Sequence, residues 1–509
     1  MGIRLHHLIA MLLILWPAAC AAADPSGSIR EPAVAGRFYP AEAHRLRAAV
    51  EAFLAEAVPD RKERPLALVC PHAGYVFSGQ IAADAYRQAL GHDYDVIVIL
   101  GTNHTASPFD GVSVHTGLGY RTPLGICPID RDLADSLSES HPSFAFRPKV
   151  HAREHSVEVQ VPFIQVAFPK TPILAAVVGR PDPGLARRFS NALIKALGER
   201  RPLIVSSTDL SHYPEYGSAV ETDSASLRAI VSMDPSRISK VLAEELRKGP
   251  SGLSTCACGE GPILAAVQAA RSLGARRGVI LSYANSGDTI FGEPDRVVGY
   301  GAAAFTAARG GTDADALIPL PTGSGDDPLS KADRTWLLTV ARRTLKRYFE
   351  TGTVPLPRID SPRLRADQGA FVTLKKRGAL RGCIGHMAED TPLALTVARM
   401  ALQAALNDRR FRPVTEEELD AIKIEISVLT PLKAVPGPEA VTVGRDGVVI
   451  QKGGNRAVFL PHVATEQGWN RNEMLDHLCR KAGLSAGCWR SGTRFQTFQA
   501  VVFSESEDH

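Results

Sequence analysis

Several segments of this chain set metal-binding side chains directly after runs of apolar residues. His72 lies in Pro71-His72-Ala73-Gly74-Tyr75, just past the run Leu66-Ala67-Leu68-Val69-Cys70. His104 ends Gly101-Thr102-Asn103-His104, just past Val96-Ile97-Val98-Ile99-Leu100. A third run, Leu203-Ile204-Val205-Ser206, opens into Ser207-Thr208-Asp209-Leu210-Ser211-His212, where the spacing of three between Asp209 and His212 would put both on one face of a helical turn. A fourth segment, Cys256-Ala257-Cys258-Gly259-Glu260-Gly261-Pro262, precedes a helix expected from Ile263 to Leu273, with Pro262 as its first-turn proline. Cys258 then sits ahead of the positive end of that helix, a position that favours the thiolate. Two neutral imidazoles and a soft thiolate suit iron, copper or zinc. Taken singly, each histidine is more often structural than a ligand, and Cys258 could be a small buried residue or a disulfide partner. A bridge between Cys256 and Cys258 would be strained by the short loop.

These residues need a scaffold that brings distant loops together. From about Ile29 to Ala308, short β-branched runs alternate with Ala/Leu-rich helical segments, the α/β pattern. In open α/β sheets ligands bind in the crevice beyond the carboxyl ends of the strands, so the loops carrying His72, His104 and Asp209 are expected to converge there. The stretch 308–330, with Gly310-Gly311, Pro319, Pro321 and Gly323-Ser324-Gly325, lacks apolar periodicity and reads as a linker. A smaller unit follows over 331–503. There Gly369-Ala370-Phe371-Val372-Thr373-Leu374 reads as a strand and Lys375 to Gly378 as a turn. Ala379-Leu380-Arg381-Gly382-Cys383-Ile384-Gly385-His386 is the return into a Gly-rich loop. Glycines on both sides of Cys383 allow close approach of a ligand or a neighbouring strand, and Arg381 beside it would lower the thiol pKa or bind an anion. The alternative is a cysteine that merely packs. Thr415 and Glu418 match a capping box, Ile422 to Leu429 alternates as a strand, and Arg471 to Ala482 reads as a helix with Cys479 on its late face.

The 509 residues exceed one ordinary domain, and a composition of 45% hydrophobic, 22% charged and 6% aromatic residues excludes long disorder and a polytopic membrane protein. A net charge of +4, from 58 basic and 54 acidic residues, gives no nucleic-acid footprint. Arg4 followed by the apolar stretch Leu8 to Trp16 has the form of a signal peptide over 1–23. Ala21-Ala22-Ala23 offers an ordinary cleavage site, whereas Cys20 offers a lipid anchor. The expected location is therefore the periplasm or a membrane-anchored lipoprotein, and the cytoplasm if the leader reading fails. Eight cysteines are too sparse for a disulfide framework, and without Cys20 an odd seven remain.

Six separated motifs carry a resemblance. Ala35 to Pro40, Pro71 to Tyr75, Gly101 to His104, His155-Ser156-Val157-Glu158, Asp209 to His212 and Cys258-Gly259 occur in the order seen in the Memo family, so residues 29–307 resemble a Memo domain. That resemblance implies a fold like the class III extradiol dioxygenases, which are non-haem iron enzymes. Carried over, the ligands of an iron or copper ion are His72, His104 and Cys258, with Asp209 and His212 lining the same pocket. A thiolate where the dioxygenases have a carboxylate softens the site and weakens any simple transfer of dioxygenase activity. His155 is assigned a role in orienting a ligand or facing substrate, and His212 or His155 would serve as acid–base. Glu158 reads otherwise as a partner of Arg153. The Leu380 to Gly385 hexapeptide, with Arg409 to Val414 and Leu460 to Trp469, makes residues 331–503 similar to the AMMECR-type domain, although His462 stands where glutamine is expected.

Together the two resemblances imply a fusion of components A and B of the AmmeMemoRadiSam system, an α/β domain followed by a smaller α+β domain. The same resemblance implies a separate radical-SAM protein as partner and an unknown small-molecule or protein substrate. Three functions remain open at this point. They are a metal-dependent oxidoreductase or dioxygenase-like enzyme, a non-catalytic metal-binding scaffold, and a thiol-dependent enzyme centred on Cys383.

Overall fold

The computed structural model describes residues 27–308, 323–354 and 356–505. The expected leader, with Cys20, and residues 309–322 of the expected linker lie outside the described residues. The first domain contains β1 (Ile29–Arg30), β2 (Pro65–Cys70), β3 (Val96–Thr102), β4 (Val112–Val114), β5 (Gly119–Thr122), β6 (Gly125–Pro128), β7 (Ile173–Val178), β8 (Pro202–Ser207), β9 (Arg277–Asn285) and β10 (Gly299–Thr306). Its main sheet has the order β4-β7-β3-β8-β2-β10-β9. The inner strands β7, β3, β8 and β2 run parallel, while β4 pairs antiparallel with β7 at one edge and, at the other, β10 pairs antiparallel with both β2 and β9. Every residue of β2, β3, β7 and β8 is buried, which is why these strands read as unbroken apolar runs rather than alternating ones. The helices Tyr75–Arg87, Tyr216–Val231 and Glu260–Ser272 pack on this sheet.

The second domain contains β11 (Ala370–Lys376), β12 (Ala379–His386), β13 (Ile422–Leu429), β14 (Lys433–Val435), β15 (Gly447–Lys452), β16 (Asn455–Phe459), β17 (Arg494–Phe498) and β18 (Ala500–Ser504). They form two four-stranded sheets, β12-β11-β13-β18 and β14-β17-β15-β16. Helices Lys331–Thr351 and Leu393–Leu406 pack together beside the first sheet, and Arg471–Lys481 packs on the second. The expected loop around Cys383 is instead continuous strand, with Cys383 opposite Thr373. Its glycines serve close packing: a Cβ at Gly382 would lie 2.2 Å from the Ala404 carbonyl oxygen, and one at Gly385 would lie 2.2 Å from the Phe371 ring.

Cys479 pairs with Cys488 in a disulfide across a separation of nine residues, closing the end of helix Arg471–Lys481 onto the loop beyond it. Cys70, Cys127, Cys256, Cys258 and Cys383 are the free thiols among the described residues. The two domains touch at several places, one of them the ion pair of Asp84 with Arg358 at 3.1 Å. Glu56, at the end of helix Ala43–Ala55, pairs with Arg343 at 3.0 Å and Arg347 at 3.1 Å, and Arg45 donates to the Phe349 carbonyl at 3.0 Å. Elsewhere Ile290, from the connection between β9 and β10, is buried in the apolar core of the second domain. No helix among the described residues is long and apolar enough to cross a membrane.

Candidate metal centre

Because β8 lies between β2 and β3, with Cys70 opposite Ser207 and Leu100 opposite Ser206, the loops after all three strands leave the sheet at the same edge. There His72 Nε2 lies 3.3 Å from Cys258 Sγ. The donor atoms of His72, His104 and Cys258 all lie within 4.8 Å of one another.

The hydrogen bonds around the two imidazoles fix which nitrogen faces this cluster. Ser207 donates its hydroxyl to the Ser156 carbonyl at 2.6 Å and accepts Gln160 Nε2 at 2.9 Å. With its one proton committed, Ser207 Oγ can only accept from His72 Nδ1, 3.0 Å away. His72 Nε2 therefore keeps a free lone pair toward Cys258. His104 is oriented the same way by a carboxylate. Its Nδ1 donates to Glu154 Oε1 at 3.0 Å and its backbone N–H to Oε2 at 2.6 Å. Glu154 also accepts the N–H groups of His155 and Ser156, each at 2.8 Å. The donor atoms of His104, Glu154 and His155 cluster as well, but with four N–H groups to satisfy the Glu154 carboxylate acts as an orienter rather than a ligand.

Electrostatics separates the members of the site. Burial, reinforced by the nearby His104 and His155, pushes the His72 pKa well below the ordinary imidazole value and keeps the ring neutral. Burial works against an ionised Glu154 too, but the hydrogen bonds from the His104 ring and backbone outweigh it and hold the carboxyl well down. For Cys258 the expectation fails. Loss of water, with the Asp209 carboxylate adding to it, raises the thiol pKa despite the helix end, so without a cation the sulfur keeps its proton. The helix begins at Glu260 rather than Ile263, and Gly259 is its cap.

Asp209 and His212 do not share a helical turn. The segment is extended: His212 donates its N–H to the Thr255 carbonyl at 3.0 Å, and Leu210 donates to the Gly299 carbonyl at 2.8 Å. Asp209 is nonetheless at the centre, accepting the backbone N–H of His72 at 2.7 Å and donating its own N–H to Cys258 Sγ at 3.3 Å. Burial raises its pKa, with His212 and the His72 N–H opposing. His212 Nε2 is buried without a hydrogen-bond partner among the described residues. His155 stacks on His104 at 4.7 Å and meets His72 edge-on at 5.5 Å. Glu158 pairs with Arg30, not Arg153, and accepts the Tyr39 hydroxyl and the Val34 N–H, which pins the amino-terminal segment beneath the site.

The Memo-like protein family model matches residues 30–304, more than half of the chain. The chain belongs to the Memo-like protein family. The AMMECR1 family model matches residues 338–503, so a Memo-like domain precedes an AMMECR1 domain in one polypeptide. Within the Memo-like part the chain is 38% identical over 279 residues to a MEMO1 family protein of Methanosarcina mazei, covering 54% of this chain and 98% of that one. It is 32% identical over 283 residues to a MEMO1 family protein of Nitrosopumilus maritimus, covering 54% and 99%. A solved structure from Pyrococcus horikoshii, that of the uncharacterized protein PH0010, matches 34% of this chain and 90% of its own at 38% identity, with a TM-score of 0.33.

Several site residues of this Memo-like chain were not singled out by the sequence reading. Glu154 directly precedes the His155 motif, and its acidic type beside a histidine was the available signal. Ser207 and Ser156 carried a weaker one, polar residues at the end of a buried strand and within a motif. Gly101 is explained by Ser156, since a Cβ there would lie 2.5 Å from its Oγ.

Cys383 stands apart from this centre, on β12. Its sulfur accepts the Thr373 hydroxyl at 3.2 Å, and its N–H donates to Asp408 Oδ2 at 2.8 Å. Arg381 does not serve the thiol: its guanidinium makes a two-bond pair with Glu418, at 3.1 and 2.8 Å, and donates to the Arg412 carbonyl.

Proposed function

We propose that the Memo-like domain binds a redox-active transition metal, iron or copper, through His72 Nε2, His104 Nε2 and Cys258 Sγ, and that the AMMECR1 domain holds the substrate or partner. The observation that supports this reading is the paired orientation of the imidazoles. Ser207 and Glu154 take the two Nδ1 protons, leaving both Nε2 lone pairs to converge on one thiol. Such a donor set fits copper(I), iron or zinc far better than magnesium or calcium. A bound ion would supply Lewis-acid and one-electron chemistry at positions that three protein donors leave open.

The chain's own residues supply the rest. Asp209 holds the His72 backbone and the Cys258 sulfur in one frame. His212, whose Nε2 has no partner among the described residues and whose pKa burial lowers, is suited to accept a proton from a substrate; His155 is the alternative base. Export to an oxidising compartment, expected from the leader, is supported by the Cys479–Cys488 disulfide.

Metal analysis of the purified protein beside His72→Ala and Cys258→Ala tests the site. Wild type is expected to carry iron or copper and both variants to lose it; unchanged metal in both would overturn the reading. Oxygen consumption with catechol-like substrates then distinguishes an enzyme from a metal-holding scaffold. A second reading, a thiol enzyme at Cys383, draws on the Thr373 hydrogen bond to its sulfur and is tested by whether iodoacetamide labels Cys383 ahead of the other free thiols.

A further inference from the structure

The connection between β9 and β10, residues 286–298, is held from three sides. The first is the segment that carries His212. Tyr213 donates its N–H to the Val297 carbonyl at 2.7 Å, Val297 returns one to the Pro214 carbonyl at 2.9 Å, and Gly299 donates to the Ser211 carbonyl at 2.8 Å. Tyr216 adds its N–H to the Pro294 carbonyl at 2.9 Å and its hydroxyl to Asp288 Oδ1 at 2.7 Å. The second side is the helix that starts just after His72, where Phe77 meets Phe291 edge-on at 6.4 Å. The third is the other domain. Arg399, on helix Leu393–Leu406, donates Nη2 to the Gly292 carbonyl at 2.7 Å and to Thr289 at 3.4 Å, and Ile290 is buried in that domain's core.

These contacts form one continuous chain to the candidate ligands. The segment that the connection braces begins at Asp209, which binds the His72 backbone and the Cys258 sulfur directly. Ordering a connection of this length costs backbone entropy at every residue, so anchors outside its own domain shift the balance between its held and open states. Arg399 and Ile290 hold residues 289–292, which lie between Asp288 and Pro294, the two hydrogen-bond partners of Tyr216.

We propose that the AMMECR1 domain regulates the candidate metal centre through this connection, with Arg399 and Ile290 as positioning residues for the Asp209 to Tyr216 segment. The proposal rests on the metal-centre reading above. It gives the fusion of the two domains a physical purpose, since a partner or ligand that moves helix Leu393–Leu406 would change the order of the segment beside the metal.

The test uses the full chain, with Co2+ as the probe. Amide hydrogen exchange is first measured without added metal in wild type, Arg399→Ala, Arg399→Lys and Ile290→Ala. Exchange at Tyr213, Tyr216 and Val297 is expected to rise about tenfold in Arg399→Ala and Ile290→Ala, with β3 and β8 unchanged and Arg399→Lys partly restored. Co2+ affinity should fall in the same two variants, in the same order as the exchange rises. Wild-type exchange at those amides in both variants would overturn the proposal, and so would faster exchange with unchanged Co2+ affinity. Equal Co2+ binding by His72→Ala and wild type would instead sink the metal-centre reading and leave the exchange result standing. Ile290→Ala keeps the test readable should Arg399→Ala disturb the second domain.

Discussion

Ser207 Oγ accepts the Nδ1 proton of His72 at 3.0 Å because its own hydrogen is committed to the Ser156 carbonyl. A serine at the end of a buried strand thereby decides which imidazole nitrogen faces Cys258. Ser207→Ala is expected to keep the fold while lowering metal affinity roughly tenfold or more, the usual cost of losing a partner that orients a ligand. Competition with a chelator measures it, and wild-type affinity would show that the ring needs no such guide.

Glu154 should be less forgiving. Its carboxylate accepts four N–H groups, two from His104 and one each from His155 and Ser156, so Glu154→Gln turns an amide NH2 against donors. The expected outcome is a stability loss of about 2–4 kcal/mol together with weaker metal binding, read from denaturant midpoints and metal titration. A variant as stable as wild type would remove Glu154 from the frame of the site.

In the second domain, two carboxylates flank the signature strand and respond to acid. The Arg410 guanidinium, with burial opposing and the Cys383 N–H assisting, holds Asp408 down at about 2. Arg381 and then Lys376 hold Glu418 down at about 2. Both values lie below the unfolded ones of 3.8 and 4.5, so the folded state binds fewer protons than the unfolded state in this range. Their support is complete above about pH 4.5 and is withdrawn as the pH falls toward 2. Unfolding midpoints across that window should drop for wild type and drop less steeply for Asp408→Asn.

Reduction offers a separate handle. The Cys479–Cys488 bridge closes a short loop, for which chain entropy assigns about 2–3 kcal/mol. Dithiothreitol, or Cys488→Ser, should lower the unfolding midpoint of the second domain and leave that of the Memo-like domain in place. Equal shifts in both would show that the domains unfold as one unit.

Much of the first domain was legible because four buried parallel strands must be apolar throughout, and such runs are visible without any partner. β2, β3 and β8 were found to within two residues at each end, and their shared edge followed from the general rule for parallel sheets. What escaped depends on residues far apart in sequence. Asp209 to His212 is extended because it pairs with Thr255 and Gly299, which no local spacing announces. Arg381 turned from the neighbouring cysteine to Glu418, 37 positions away, and Glu154 found His104 at a distance of 50. Cys479 was seen on its helix, but its partner opens a three-residue 3-10 turn, Cys488–Arg490, too short for periodicity to place it.

Several contacts join the domains, Glu56 with Arg343 and Arg347, Asp84 with Arg358, and Arg399 with the Gly292 carbonyl. None of these contacts involves residues 309–322. A protease that nicks the chain there would therefore be expected to yield two fragments that still elute together at low salt and part as salt screens the Glu56 pairs. Covalent continuity would then serve to keep the halves at high local concentration, and the fit of their surfaces would do the holding.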